Sequence, residues 1–379
     1  MKKSLIALAV AGAFAAPAFA ASSNVDVYGT LRFSVDHNSR NNGSTDNWTI
    51  NDQISRIGFK GSEDLGGGLK AVWQIEQQIA SATAPTTAGG AFGDAGLRNT
   101  FVGVAGGFGT AIIGRHDTPY KLGGSADLFA DTSADSQRAG AGGIIGRNGF
   151  DNRISGTIAY ISPDWSGFHF AAALVPGEGT TTGSANGLAD AYSLVGVYAN
   201  GPLKMTLGHE SFGKELGNVT ATAASTCTAP SVFVVGSTTT CVQEIAGVTT
   251  FSAPVAGATT TTTPNSDKSA TKFNIGYKIG DVALGYTYER SDANYTSTTK
   301  DVSQLASVAY GMGPITLAAQ YGKFNDKQAT DADLTRWTVG AIYNLSKRTN
   351  VYAAYNSDNY KVATTVDTKT ITMGVNTSF

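Results

Sequence analysis

Val25-Asp26-Val27-Tyr28-Gly29-Thr30-Leu31-Arg32-Phe33-Ser34-Val35-Asp36 is the stretch whose period decides the fold. Val25, Val27, Gly29, Leu31, Phe33 and Val35 fall on one face of an extended chain, and Asp26, Tyr28, Thr30, Arg32, Ser34 and Asp36 on the other. A period of two with a single apolar side is that of a strand with one face in an apolar medium. The pattern returns at Leu69, Ala71, Trp73, Ile75 and Ile79, against Lys70, Gln74, Glu76 and Gln78. It returns again at Phe273, Ile275, Tyr277 and Ile279, against Lys272, Asn274 and Lys278, and at Trp337, Val339, Ala341, Tyr343 and Leu345, against Arg336, Thr338 and Asn344.

Soluble sandwiches alternate too, and three features separate a membrane barrel from them. The segments run to about ten residues, long enough to cross a bilayer when tilted, where sandwich strands run to about five or six. Connections alternate between tight ones (Ser62–Gly67, Gly106–Gly109, Ser162–Gly167, Asn200–Pro202, Gly280–Asp281, Gly311–Pro314, Ser346–Arg348) and long polar ones, as in outer-membrane barrels. Aromatics gather near strand ends, at Tyr160, Trp165, Tyr198, Tyr277, Tyr310, Trp337, Tyr343 and Phe379, where they would suit the two membrane interfaces.

Counting segments predicts an all-β, antiparallel transmembrane barrel of 16 strands, over 25–37, 49–61, 68–80, 96–105, 109–115, 152–161, 167–175, 188–199, 202–212, 270–280, 282–291, 301–311, 314–324, 333–345, 349–359 and 368–379. Alternation leaves the phase of 109–115 open. The last strand ends on Phe379.

Lys2 and Lys3, an uncharged run from Leu5 to Ala16, and Ala18-Phe19-Ala20 read as a secretory signal peptide over residues 1–20, too short to span a bilayer. The barrel is then residues 21–379, with 25 basic against 29 acidic residues. That balance suggests no nucleic-acid partner, and the expected surroundings are outer-membrane lipid. No apolar run after residue 20 is long enough for a transmembrane helix. Cys227 and Cys241 lie in the longest connection, Phe212–Lys268. After export they would meet an oxidising compartment, so a local disulfide is expected, worth roughly 3 kcal/mol by loop-entropy arithmetic. Their surroundings do not resemble a metal site, and no cofactor is implied.

The stretch from Arg115 to Arg153 stands apart. It is rich in glycine and carries Asp127, Asp131 and Asp135 at intervals of four, then Arg138 and Arg147. Connections this long are functional or disordered. The spacing of four predicts three carboxylates along one side of a short helical turn, in a loop folded into the barrel to narrow it. The other reading is a solvated surface loop.

Several segments together resemble the general bacterial porin family of Gram-negative outer membranes. They are Val27-Tyr28-Gly29-Thr30-Leu31, Ser55-Arg56-Ile57-Gly58-Phe59-Lys60-Gly61 running into Glu63-Asp64-Leu65-Gly66, Leu69-Lys70-Ala71, Phe108-Gly109, Gly114-Arg115, Tyr160-Ile161-Ser162-Pro163, Gly201-Pro202-Leu203, Leu345-Ser346-Lys347-Arg348-Thr349 and the terminal Phe379. The resemblance implies a trimeric 16-stranded barrel whose third loop, here Arg115–Arg153, folds inward as a constriction. It implies pore arginines at Arg56, Arg98 and Arg153, with Arg32 and Arg115 as further candidates. The acidic side would come from Asp127, Asp131 or Asp135, with Glu76 a candidate from the wall; Arg138 is a basic candidate on the loop.

Arginines facing carboxylates across a narrow waterway set up a transverse field. Up to five wall arginines against three or four carboxylates predict a weak to moderate anion preference in a channel for small hydrophilic solutes and ions. A porin specific for a small anionic or polar nutrient is the nearest alternative, although the inward aromatics placed by alternation, Tyr28 and Tyr352, are too few for a sugar track. Enzyme activity has little support. The four histidines are scattered, Ser269-Ala270-Thr271-Lys272 lacks companion motifs, and the phosphate-loop likeness of Gly208–Lys214 fails at Glu215. An adhesin or soluble β protein is the third reading.

Overall fold

The computed structural model describes residues 24–41, 46–79, 96–137, 142–177, 187–213, 267–293, 298–327, 332–361 and 366–379, and the backbone of five short strands between 219 and 262. The strands are β1 (Asn24–Arg40), β2 (Asn47–Asp52), β3 (Arg56–Gly66), β4 (Leu69–Gln78), β5 (Leu97–Gly106), β6 (Gly109–Asp117), β7 (Arg153–Ile161), β8 (Phe168–Val175), β9 (Ala191–Asn200) and β10 (Leu203–Phe212). The short strands β11 (Val219–Thr222), β12 (Val232–Phe233), β13 (Cys241–Ile245), β14 (Val248–Ser252) and β15 (Thr259–Thr262) form two small sheets within the long connection. The wall resumes with β16 (Lys268–Ile279), β17 (Val282–Asp292), β18 (Lys300–Met312), β19 (Ile315–Asn325), β20 (Leu334–Asn344), β21 (Thr349–Tyr360) and β22 (Thr368–Ser378).

Seventeen of these strands make one antiparallel sheet, and β22 pairs back onto β1 from Thr30–Ser378 to Arg40–Thr368. The sheet is therefore a closed barrel, which removes the exposed edges a sheet would otherwise present. β1 pairs with β3 through Asn24–Thr30 and with β2 through Phe33–Asn38. β2 and β3 are thus halves of one stave, and the barrel has sixteen staves, as expected. The continuous strand expected over 49–61 is corrected. The register slips by one residue at Gln53–Ser55, where Ile54 takes φ 62°. Ser55 Oγ accepts from Arg32 N–H at 3.0 Å, and Ser55 N–H donates to Asp52 at 2.8 Å. Such a bulge resets which face each later side chain occupies.

The outward face carries Val25, Val27, Leu31 and Val35 on β1, and it remains exposed and apolar around the barrel, for example at Leu207, Ile279, Leu317 and Val339. A contiguous exposed apolar band of this kind needs an apolar solvent. Exposed Trp165, Phe168, Tyr198, Tyr277, Tyr310 and Tyr343 ring the end with short turns. Trp48, Tyr192, Tyr288, Tyr321 and Trp337 ring the end with long connections.

Residues 118–137 and 142–152 follow β6 into the barrel and pack against inward side chains. Phe129 and Ala134 pack with Ala318 and Ala354, and Ala126, Ile144 and Ile145 pack with Leu305, Phe324 and Leu334. Tyr120 and Phe150 pack with Val175, Ala191, Phe212 and Ala270. Glycine at 340 permits the close approach, because a Cβ there would lie 2.9 Å from the Phe129 ring. The helical turn expected around the three aspartates is absent. Among the loop's described residues the one helix is Pro119–Leu122, capped by Thr118. The inserted loop thus lies against β8–β10 and β16–β21 and leaves an opening on the side of β1 and β3–β7.

Candidate functional site

Arg56, Glu76, Arg98 and Arg153 reach that opening from β3, β4, β5 and β7. Alternation alone would place Arg98 outward with Val102, whose side chain is exposed. The register between β4 and β5 slips between Ile75–Thr100 and Gln77–Leu97, so Arg98 and Asn99 together oppose Glu76. Arg98 Nε consequently lies 2.5 Å from Glu76 Oε1. Tyr28 OH donates to the other Glu76 oxygen at 3.1 Å, and Arg56 Nε is 3.8 Å from it. A second slip at Gly114/His116 explains why 109–115 had no clear phase. It turns Arg115 onto Leu97 O at 2.9 Å and Ser155 Oγ at 2.8 Å.

Asp117 and Lys121 belong to this group too. Asp117 Oδ1 lies 2.9 Å from Arg153 Nη2 and 3.2 Å from Lys121 Nζ, while Asn99 Oδ1 accepts from Arg153 at 2.6 Å. Neither Asp117 nor Lys121 was among the residues that the sequence placed at the constriction. Their signal was position at the junction of strand and loop, which periodicity does not score.

The three loop aspartates part company. Asp131, at φ 56°, pairs with Arg32 and lies 3.4 Å from Arg56. Asp127 turns into the loop and accepts from the backbone of Phe129 at 3.0 Å and Ser136 at 2.9 Å. Asp135 is buried and accepts from Asp131 N–H at 2.9 Å and Gln137 N–H at 2.7 Å. Burial, with the Asp127 carboxylate beside it, pushes Asp135 well above the ordinary carboxyl range. Aspartates satisfying nearby backbone N–H groups favour turns over helix, which is why the spacing of four did not produce one. Arg147 lies over the rings of Phe324 and Tyr360, away from the opening. Arg138 and Cys227 lie outside the described residues, and only the backbone of Cys241 is described.

A cleft of about 410 Å³ is bounded by Arg115, Lys121, Asp131, Asp135 and Arg153 among others. Five arginines and one lysine therefore approach the opening, against Asp131, Glu76 and Asp117. The structure places Arg32, Arg56, Glu76, Arg98, Arg115 and Arg153 around this opening; of Asp127, Asp131 and Asp135, Asp131 ion-pairs there, Asp135 borders the cleft and Asp127 turns into the loop.

Burial opposes ionisation of Asp131, but the guanidinium groups of Arg32 and Arg56 outweigh it and hold the carboxyl below its usual range. The ion pairs, and the stability they lend the loop, are then present above the unfolded-state value of about 3.9 and lost only as pH falls through the depressed folded value. The difference in reversal potential between the unaltered protein and Asp131→Asn should accordingly persist from neutral pH to about 4 and close only below it. Closure near pH 5 would refute the assignment.

The chain matches the family model described as Gram-negative porin over residues 7–363. Outer membrane porin protein 32 of Delftia acidovorans is 28% identical over 367 residues, covering 93% of this chain and 88% of that protein. Major outer membrane protein P.IB of Neisseria gonorrhoeae is 29% identical over 374 residues, covering 92% and 91%. Among solved structures, the anion-selective porin from Comamonas acidovorans superposes with a TM-score of 0.64 at 20% identity, over 94% of this chain and 100% of that one. Salmonella typhi OmpF gives 0.59 at 16% identity, over 95% and 99%. With the family pattern running through nearly the whole chain and a closed sixteen-stave barrel around an inserted loop, this chain belongs to the Gram-negative porins of the outer membrane.

Proposed function

We propose that this porin is a general diffusion channel for small hydrophilic solutes and ions, with a weak to moderate anion preference. The observation that carries the reading is the charge at the waist: six cationic side chains against Asp131, Glu76 and Asp117, while Asp135 and Asp151, which also border the cleft, are engaged by backbone N–H groups and by Lys272. Guanidinium groups keep their charge at any relevant pH. The net excess of acid over the exported chain opposes this, but charges beyond a Debye length of roughly 8–10 Å are screened, so the local balance governs. The anion selectivity named for the Comamonas acidovorans structure agrees with it. In planar bilayers under a KCl gradient, the reversal potential should carry the sign of chloride preference. Clear cation selectivity that survives Arg56→Ser would overturn the reading.

The working unit is a homotrimer; OmpT of Vibrio cholerae, which shares the fold, has been seen in a trimer form. A heat-modifiable trimer band on a gel tests this. Residues 1–20 serve as the export signal, and Cys227 bonds Cys241 in the long connection. The mature N-terminal sequence and a thiol titration of the native protein test these two.

A further inference from the structure

We propose that the inner wall beside the arginine row is a binding station for amphiphilic organic anions, small aromatic monocarboxylates in particular. This deepens, and rests on, the diffusion-channel reading. A cavity of about 450 Å³ is lined by Lys60, Val72, Phe101, Ile112, His116 and Ile161, with Asp26, the one acidic side chain in the lining, and neutral polar residues completing it. Lys60, Gln74 and Phe101 are direct cross-strand neighbours, so they share the inward face.

The apolar character does not stop at the cavity. Phe101 packs with Ile112, Ala159 and Ala173, and Ile161 packs with Ala171, Val195 and Val197. All are inward positions, where a channel for purely hydrophilic solutes is lined by polar groups. Alternation had identified Tyr28 and Tyr352 as the inward aromatics. Phe101 adds another, and the His116 ring stands edge-on to it at 5.2 Å.

Two cations with no ion pair among the described residues stand by this shelf: Lys60 in its lining, and Arg115 on the border of the neighbouring cleft. Arg115 contacts only Leu97 O and Ser155 Oγ in hydrogen bonds, and it follows Gly114, the cross-strand partner of Phe101. Lys60 lies opposite Asp26 in register but makes no ion pair with it, and its ammonium stands 5.4 Å over the Tyr28 ring. A carboxylate can therefore be held by Arg115 or Lys60 while an aromatic body lies on Phe101. The guanidinium supplies a planar two-point match to the carboxylate, and the ring pair supplies offset or edge contact. A polyhydroxy acid of similar size finds the charge but gains nothing from the shelf.

The test is current block in planar bilayers of the full-length mature protein, with phenylacetate and gluconate titrated separately against a fixed KCl current. Phenylacetate should half-block at a concentration about tenfold below gluconate, and Phe101→Ala should remove most of that advantage, a change on the order expected for one apolar contact in a pocket. Phe101→Leu, which keeps apolar volume and loses the ring, should fall between them and decides the matter if the alanine variant fails to fold. Equal block by the two anions in the unaltered channel, or an advantage that both Phe101 variants retain, overturns the station and leaves the porin reading standing. A protein that forms no conducting channel overturns the porin reading itself.

Discussion

Arg56→Glu combined with Arg115→Glu is expected to convert the anion preference into a cation preference. The pair of changes leaves Arg32, Arg98, Arg153 and Lys121 facing Asp131, Glu76, Asp117 and two new carboxylates, so the balance at the waist changes sign. Two unit charges 4 Å apart interact by about 1 kcal/mol in water and more where water is excluded. A factor of ten in an equilibrium corresponds to about 1.4 kcal/mol. Reversing two charges beside the waterway should thus move the chloride-to-potassium permeability ratio by on the order of tenfold. The readout is the sign of the reversal potential in a KCl gradient. Raising the salt to about 1 M, where the Debye length is about 3 Å, should shrink the difference between variant and parent. An unchanged sign at low salt would mean that these side chains do not govern permeation. Arg115 suits the experiment because its contacts are a carbonyl and a hydroxyl, not a carboxylate. Arg56 is 3.8 Å from Glu76 and 3.4 Å from Asp131, so its reversal also loosens the loop tip.

The sixteen staves were legible because lipid imposes an apolar outer face on every one, and a period of two is a local property of the chain. Arg56 was legible because Ser55–Gly61 fixes its register. Arg98 and Arg115 were not assignable by phase, since each lies beside a register slip that alternation cannot anticipate. The division of labour among Asp127, Asp131 and Asp135 was equally hidden. It depends on which carboxylate finds backbone N–H groups nearby and which finds the guanidinium of Arg32, roughly a hundred residues away in sequence. Lys272 shows the same limit from the wall side. Its inward orientation follows from alternation with Phe273 and Ile275, but its partner on the loop is a long-range contact with no signature in the local sequence.

Lys272→Met is expected to free the inserted loop. Lys272 Nζ lies 2.5 Å from Asp151 Oδ1 with both side chains 1% exposed, and 4.3 Å above the Tyr120 ring. Asp151 and Tyr120 are both loop residues, so this one cation ties each end of the insertion to β16. Glu289, fully buried on the neighbouring stave, accepts from Tyr120 OH at 2.8 Å and from Gly146 N–H at 3.0 Å. Glu210 is fully buried beside them. The lysine therefore stands among three acidic side chains, and each of the two glutamates is in electrostatic reach of both Asp151 and Lys272. Breaking a buried pair by removing one partner costs about 3–5 kcal/mol, because the charge left behind has lost its solvation and its partner. Here more than one carboxyl would lose its counter-ion, and the relief open to the protein is to let the loop swing away from the wall and admit water. The variant should show noisier, larger single-channel currents and a lower thermal midpoint in detergent, with the barrel's β signature retained below that midpoint. Adding Asp151→Asn should restore part of the loss, since the interaction energy of a contacting pair appears as non-additivity in the double variant. Quiet currents of parental size in Lys272→Met would show that the apolar contacts of Phe129, Ile144 and Phe150 hold the loop without this ion pair.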